Sequence, residues 1–471
     1  MIAIDANVSA PDLVPGLESL WGVAGRCIGA LRRRWNEADG TPVFTEAGRY
    51  TTRGWTEWTQ GFQYGCALLL FEATGDEEYL EYGRRETVTK MAPHLTHLGV
   101  HDHGFNNVST YGNLLRMMSE GTIPEDEWQR SFYELALKLS GAAQASRWTS
   151  LPGGLGYVCS FNGRHSLFSD TIRSMRSLAL AHQLGHVLMG EQDERISLLG
   201  RLFAHAETTG RYNVYFGEGR DAYDVRGRVV HESIFNVDSG AYRCPSTQQG
   251  YSPFTTWTRG LAWILAGYPE QLEWLETLCD ADVRSSGFSA DSLAEIRSRY
   301  LEIARAVADF SIEYTPTDGI PYWDTGAPGL VHLGDYLERP ADPFNEYEPV
   351  DSSAAAIGAQ GLLRLGRYLA RNAGSKSDEQ AATRYTQAGL SVARTLLAEP
   401  YLSLADGHEG ILLHTVYHRP NGWDFVASGQ TVPNGESAMW GDYHLMELGL
   451  MVKRLAEGGA PQRFFDTGRT T

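Results

Sequence analysis

WTQGFQYGCALLLFEATGDEEYLEYGRRETVTKM, Trp58 to Met91, holds the repeating unit of the fold. Its first part is apolar on nearly all sides, as a helix buried all round must be. Gly75 then offers a helix stop and Asp76 the N-cap of a new helix. The second part, EEYLEYGRRETVTKM, is amphipathic and charged, as suits a helix with one face in water. The stretch predicts a hairpin of one inner and one outer helix.

The same grammar returns along the chain. DTIRSMRSLALAHQLG (170–185) is followed by DERISLLGRLFAHA, and DSSAAAIGAQGLLRLGRYLARNAG (351–374) by SKSDEQAATRYTQAGLSVARTLLAE. Further helical stretches are 18–35, 129–145, 256–267, 293–314 and 437–456, whereas strand signals are confined to short runs such as VYFGEG, VVHESIF and ILLHTVYH. About ten to twelve helices with short connections occupy roughly 300 to 350 residues, and the rest must be long loops. Segments 206–255 and 315–350, rich in Gly, Pro, Tyr and Asp, are the candidates. An all-α toroid of six helical hairpins, the (α/α)6 barrel, fits this inventory, with long loops and a few short strands at the active-site end. No Gly/Ser or Pro run divides the chain, so residues 1–471 are read as one catalytic domain. An α-solenoid would need a fixed repeat period, and the spacing is too irregular for one.

Composition narrows the function. The 471 residues carry a net charge of -18, which argues against nucleic acid or anionic membranes as partners. An acidic ligand would then need a local receptor. The five cysteines are scattered and form no C-x-x-C pair, which predicts free thiols in a reducing compartment. The first residues lack a basic-then-apolar signal pattern and no apolar run reaches about 18 residues, so a cytoplasmic location is expected. Oligomeric state leaves no signal.

Several residues could carry chemistry. Asp102 lies in HLGVHDHGFNN; it reads either as a loop aspartate capping the helix that begins near Asn107 or, with His101 and His103, as a metal ligand. Adjacent residues rarely converge on one ion and no matching cluster appears elsewhere, so no metal is expected. Asp170 opens an apolar inner helix, either as its N-cap or as an acid/base carboxyl at the barrel mouth. Beside a second carboxylate, its pKa would be raised toward neutrality. His231, in VVHESIF, reads as a structural hydrogen-bonder or a site residue. The G-x-G-x-x-A at Gly217 to Ala222 follows no strand and opens no helix, which removes dinucleotide binding. In QGYSPFTTWTRGLAW (249–263), Arg259 and Trp263 share one helix face with Trp257 a half-turn before them. An arginine framed by indoles is a receptor for a sugar carboxylate or a cation–π pair packed in a wall.

Taken in order, these motifs resemble the unsaturated glucuronyl hydrolases, glycoside hydrolase family 88, with unsaturated rhamnogalacturonyl hydrolases as more distant relatives. WTQGFQYGCALLLFEATGDEEYL, HDHGF, SDTIRSM, QGYSPFTTWTRGLAW, DSSAAAIGAQGLL and ESAMWGDYHLMEL carry the resemblance, which runs from Trp58 to Glu447. It implies an (α/α)6 barrel that uses no cofactor and acts on acidic oligosaccharides left by polysaccharide lyases. These end in a 4,5-unsaturated uronic acid, a vinyl ether. An acid protonates C4, water adds at C5, and the hemiketal opens and releases the aglycone. The resemblance implies Asp170 as principal acid/base and Asp102 as its partner. It implies His231 and Gln249 as polar groups around the substrate, Arg259 as receptor of the uronate, and Trp257, Trp263 and Trp58 as stacking walls.

Three departures stand out. Ser174 occupies a position where the family carries asparagine, Pro253 and Phe254 replace small or acidic residues, and the segment between Asp170 and His231 is longer. Alternatives on the same barrel are a sugar epimerase pairing His231 with His101, His103 or His414, a lyase, a hydrolase of saturated uronosides, and a non-catalytic binding protein.

Overall fold

The computed structural model describes residues 1–54, 57–290 and 292–466. Outer and inner helices alternate along the chain. α1 (Val14–Arg34) lies outside, α2 (Gln60–Thr74) inside and α3 (Glu77–Lys90) outside. The next inner rod is broken: α4 (His103–Asn106), a π-helical turn (Val108–Gly112) and α5 (Asn113–Ser119), backed by the outer α6 (Glu127–Ser146). Another follows as α7 (Thr171–Ser174) and α8 (Arg176–Gln183), backed by α9 (Leu198–Asn213). The inner α10 (Thr258–Leu275) leads through the short α11 (Asp280–Ser286) to the outer α12 (Leu293–Glu313). α13 (Ser352–Asn372) is inner, α14 (Lys376–Leu396) outer, and α15 (Met439–Ala456) inner. α2 packs on α4, α4 on α7, α7 on α10, α10 on α13, α13 on α15, and α15 on α2, which closes the ring. The fold is an all-α barrel.

Burial explains the two layers. Every residue of α10 is buried, and so is the whole run from Gly61 to Phe71 in α2, so these helices need apolar or small side chains on all faces. The outer α14 buries one stripe and leaves charges on the other. α2 ends at Gly75 in the left-handed conformation, φ 74°, and Asp76 caps α3 by accepting from the Glu78 N–H. The expected hairpin at 58–91 is therefore present in detail.

The structure corrects several boundaries. The helix expected to stop at 267, before Pro269, continues to Leu275. Pro269 forfeits only the bond to the Leu265 carbonyl, and α13 packs Gly361 so close to that carbonyl that a Cβ there would lie 2.2 Å from it. The loop expected over 206–255 begins later, because α9 runs to Asn213. ILLHTVYH forms only isolated bridges, Leu402 with Leu412 and Leu413 with Ser437. VVHESIF does contain a strand, Glu232–Phe235, flanked antiparallel by Ser166–Phe168 and Tyr242–Ser246. The longer segment between Asp170 and His231 holds a small hairpin, Leu188–Met189 with Arg195–Ile196. All five cysteines are unpaired. Among the described residues, no helix is long and apolar enough to cross a membrane.

Candidate active site

The barrel opens at one end into a cleft. Asp102, Asp170, Gln249, Trp257, Arg259, Trp263 and Trp58 all line it. Residues from positions 58 to 263 thus meet on one surface, brought there by four different inner rods or the loops before them.

Both aspartates stand at N-caps. Asp102 precedes α4 and Asp170 precedes α7, yet neither side chain caps its helix. Asp76, Asp126 and Asp351, at comparable positions, do accept from their own helices. The capping reading holds for the backbone position of the two cleft aspartates and fails for their side chains, which line the cleft. Asp102 opens its helix at His103 rather than near Asn107.

Close packing brings the two together. The Gly104 N–H donates to Ser174 Oγ at 2.9 Å, and a Cβ at Gly104 would lie 2.2 Å from the Ser174 carbonyl oxygen. Only glycine permits that approach. Ser174, one of the departures noted above, is therefore the joint between the Asp102 and Asp170 rods.

Between the carboxylates stands His101. Its Nε2 lies 3.3 Å from Asp170 Oδ1 and 3.9 Å from Asp102 Oδ1. Its carbonyl accepts from Gln144 Nε2 at 2.6 Å, and its ring stacks on Phe161 with Phe168 edge-on. Burial pulls the His101 pKa down, but the Asp102 charge and the Asp170 hydrogen bond and charge lift it above the ordinary imidazole value. Burial likewise pushes Asp170 up, but the His101 hydrogen bond and charge, helped by His231, hold it below the usual carboxylate range. The expectation that a second carboxylate raises the Asp170 pKa is corrected, because an imidazole intervenes between the two acids.

His103 turns away from this group. Its Nδ1 meets Ser140 and its Nε2 the His97 carbonyl, and burial lowers its pKa to about 4. His101, Asp102 and His103 thus do not converge on one ion. Among the described residues, no group of three or more His, Cys, Asp or Glu could hold a metal.

His231 stands behind the cleft wall. The Ser169 N–H donates to its carbonyl at 2.8 Å, which ties it to the residue before Asp170. Its Nδ1 accepts from the N–H groups of Gln248 and Gln249 at 3.1 and 3.3 Å, and its ring packs on Phe168 and Trp257. Nδ1 being an acceptor, the neutral ring carries its proton on Nε2. Burial lowers its pKa to about 4. Its contacts make it the support of the Gln248–Gln249 backbone.

Arg259 lines the cleft, but its guanidinium is committed to protein. Nη1 donates to Asp351 Oδ2 and to the Val416 carbonyl, both at 2.5 Å. Nη2 donates to the Tyr417 carbonyl at 2.8 Å and to Gln249 Oε1 at 3.3 Å. Four of five N–H groups are engaged, and the fully buried Asp351 neutralises the charge. The guanidinium also sits over Trp257 and Trp440 at 4.7 and 5.0 Å. Of the two readings of the arginine between indoles, its contacts are those of the packed cation–π pair. It orients Gln249 by occupying the amide oxygen, which turns the amide nitrogen, a donor, to other partners.

The aromatic wall is deeper than a rim. Trp257 and Trp263 are buried, and Trp263 packs between Phe105 and His444. Trp58 is half-buried and stacks on Trp440 at 5.1 Å. The opposite wall escaped the sequence reading altogether: Tyr417, His418, Asn421 and Trp423 line the cleft from the loop before α15. Tyr417 and His418 end the run ILLHTVYH that the sequence reading takes as a strand, Asn421 and Trp423 lie beyond it, and only the density of rings and imidazoles marks the stretch. The Asn421 N–H donates to His418 Nδ1, so His418 also carries its proton on Nε2, and burial lowers its pKa to about 4. Pro253 and Phe254 are not in the lining; Phe254 is exposed and packs on Tyr223. His414, a candidate partner of His231, packs on Phe344 and Tyr401 outside the cleft.

No family model matches the chain. It is 25% identical over 435 residues to an unsaturated glucuronyl hydrolase of Bacillus sp. (strain GL1), covering 89% of this chain and 92% of that one. The crystal structure of the unsaturated glucuronyl hydrolase from Bacillus sp. GL1, responsible for the degradation of glycosaminoglycan, matches with a TM-score of 0.66 at 23% identity, over 96% of this chain and 99% of that one. An unsaturated glucuronyl hydrolase mutant from Streptococcus agalactiae, complexed with dGlcA-GalNAc6S, matches with a TM-score of 0.60 at 19% identity, over 95% and 93% of the two chains. At these identities the solved structures establish the fold.

Proposed function

We propose that this chain, a relative of the unsaturated glucuronyl hydrolases, removes a 4,5-unsaturated uronic acid from the non-reducing end of short acidic oligosaccharides by hydrating the vinyl ether. One observation carries the reading. Two carboxylates at helix-opening positions meet across one imidazole in a cleft walled by indoles.

Asp170 delivers a proton to C4, and positive charge develops at C5 and the ring oxygen. Asp170 and Asp102 stabilise that charge and direct water to C5. The hemiketal so formed opens and lets the aglycone go. The attacked carbon is not anomeric, so the carboxylate separations that distinguish retaining from inverting glycosidases do not govern the outcome.

The uronate end meets neutral donors. Arg259 is already paired, so the N–H groups of the Gln249 amide nitrogen take the sugar carboxylate. Arg259 acts through Gln249, and His231 through the Gln248–Gln249 backbone. Trp58, Trp257 and Trp263 supply flat apolar surface for the ring.

Unsaturated uronyl disaccharides incubated with the protein should lose their vinyl ether absorbance, and Asp170→Asn should abolish the loss. A constant signal with disaccharides from several polysaccharides would sink the proposal. A signal gained from intact polymer would indicate a lyase instead.

A further inference from the structure

The resting site presents a difficulty for the acid. Asp170 must hand over a proton, yet its carboxyl is held below the usual carboxylate range by His101, whose Nε2 lies 3.3 Å from Asp170 Oδ1.

His101 is built differently from the histidines around it. His103 has both ring nitrogens tied, and the Nδ1 atoms of His231 and His418 accept backbone N–H groups. Each is fixed as a neutral ring. His101 Nδ1 is buried with no hydrogen-bond partner, so no N–H group holds it as an acceptor in the way that His231 and His418 are held. Its Nε2 alone is engaged, and both nearby acceptors are carboxylates. The charged and titratable groups that act on it are Asp102, Asp170, Arg147, His205 and His231. Arg147 is turned to the carbonyls of Leu98, Cys159 and Ser160. His205 and His231 are neutral, lowered by burial to about 3 and about 4. The balance of these neighbours favours the imidazolium.

We propose that His101 is the positioning residue that holds the catalytic proton, lending it to Asp170 for delivery to the ring carbon and receiving it back after water has added. The proposal rests on the hydration reading above. Asp170 Oδ1 takes the Nε2 proton and the carboxyl passes a proton to C4. The C4=C5 electron pair forms the new C–H bond and leaves the positive charge on C5 and the ring oxygen. Water bonds to C5 through oxygen, and its surplus proton goes to the Asp170 carboxylate and on to His101 Nε2. One proton leaves the pair and one returns, with water the sole co-reactant. Asp102 keeps the imidazolium in place throughout.

Two measurements test this. In the first, the imidazole resonances are titrated by NMR in the wild-type protein and in Asp170→Asn. His101 should titrate above 6.5, and its midpoint should fall by about one unit or more when the Asp170 charge is removed. In the second, kcat/KM on an unsaturated disaccharide is followed against pH in wild type and His101→Gln. The basic limb should move to lower pH, with about a hundredfold loss near neutrality and substantial recovery near pH 5, where Asp170 takes its proton from solvent. A His101 midpoint below 6 in a protein that consumes the substrate overturns the proposal alone. So does a His101→Gln variant slowed equally at every pH with its limbs unmoved. A wild-type protein that leaves the vinyl ether intact overturns the hydration reading, whatever His101 titrates at.

Discussion

The two ends of the barrel bury charge in opposite ways. The same inner helices serve both. α7 and α8 follow Asp170 at the mouth and carry Arg173 and Arg176 deeper in; α10 carries Arg259 at the mouth and Glu270 and Glu273 below; α13 follows Asp351 and carries Arg364 further down. In the interior the charges match. Arg173 bonds Glu270 at 3.0 Å and Glu447 at 2.8 Å, and Arg364 bonds Glu273 at 2.8 Å, all of them buried. At the mouth two carboxylates share one imidazole. The interior pairs each arginine with buried glutamates, whereas at the mouth one imidazole faces two carboxylates. Arg259 with Asp351 is a pair of the interior kind placed at the mouth, which is why its role is to hold the wall.

Asp170→Asn should sharpen this contrast most. Turnover measured by vinyl ether absorbance should fall by at least about 10²–10⁴-fold, the scale of a lost general acid, with any change in melting temperature confined to the pH range in which the His101 ion pair forms. Glu447→Gln should do the reverse. It leaves Arg173 and Arg176 short of a counter-charge, and breaking such a buried pair costs about 3–5 kcal/mol of stability, read by chemical denaturation. The activity per folded molecule should be retained. If Glu447→Gln instead abolished turnover without destabilising the fold, the division between the two ends would fail.

Arg259→Lys tests the case that straddles them. Lysine cannot keep the contacts to Asp351, Val416, Tyr417 and Gln249 together, so KM should rise by about tenfold as Gln249 loosens, roughly one buried hydrogen bond. The rise should be the same for a uronate and its uronamide. A loss confined to the uronate would restore the arginine as direct receptor of the sugar carboxylate. Trp423→Ala should have the smallest kinetic effect, a KM increase of up to about tenfold at most, the worth of one aromatic contact, with kcat unchanged.

Stability against pH separates the mouth from the interior again. His101 has a raised pKa in the folded state, so its contribution is complete below the unfolded value near 6.5 and is lost as pH rises through the folded one. Asp170 has a lowered pKa, so its contribution is present above about 3.9 and is lost as pH falls through the folded value. The difference in melting temperature between wild type and His101→Gln should therefore be widest between these limits and shrink on both sides. A difference that is flat with pH would show that no ion pair exists.

Much of this architecture is legible in the residues. The Gly75–Asp76 break, the apolar run Gly61 to Phe71 and the charged run after it state an inner and an outer helix, because capping and burial act over one or two turns. The same short-range logic misjudged Pro269, which α10 carries in its buried interior as it runs on to Leu275. Resemblance brought Asp102, Asp170, Gln249, Trp257, Arg259, Trp263 and Trp58 forward as site residues, and the fold gathers them on one cleft.

What the amino-acid order determined alone was the alternation of buried and exposed helices and the identity of the groups at their ends. What the tertiary structure decided was the protonation and pairing of those groups. Asp351 lies 92 residues from Arg259 and neutralises it, and His101 separates two acids 68 residues apart. Helix propensity is a local property of the backbone, whereas charge, burial and hydrogen bonding act through space between segments that meet only after folding.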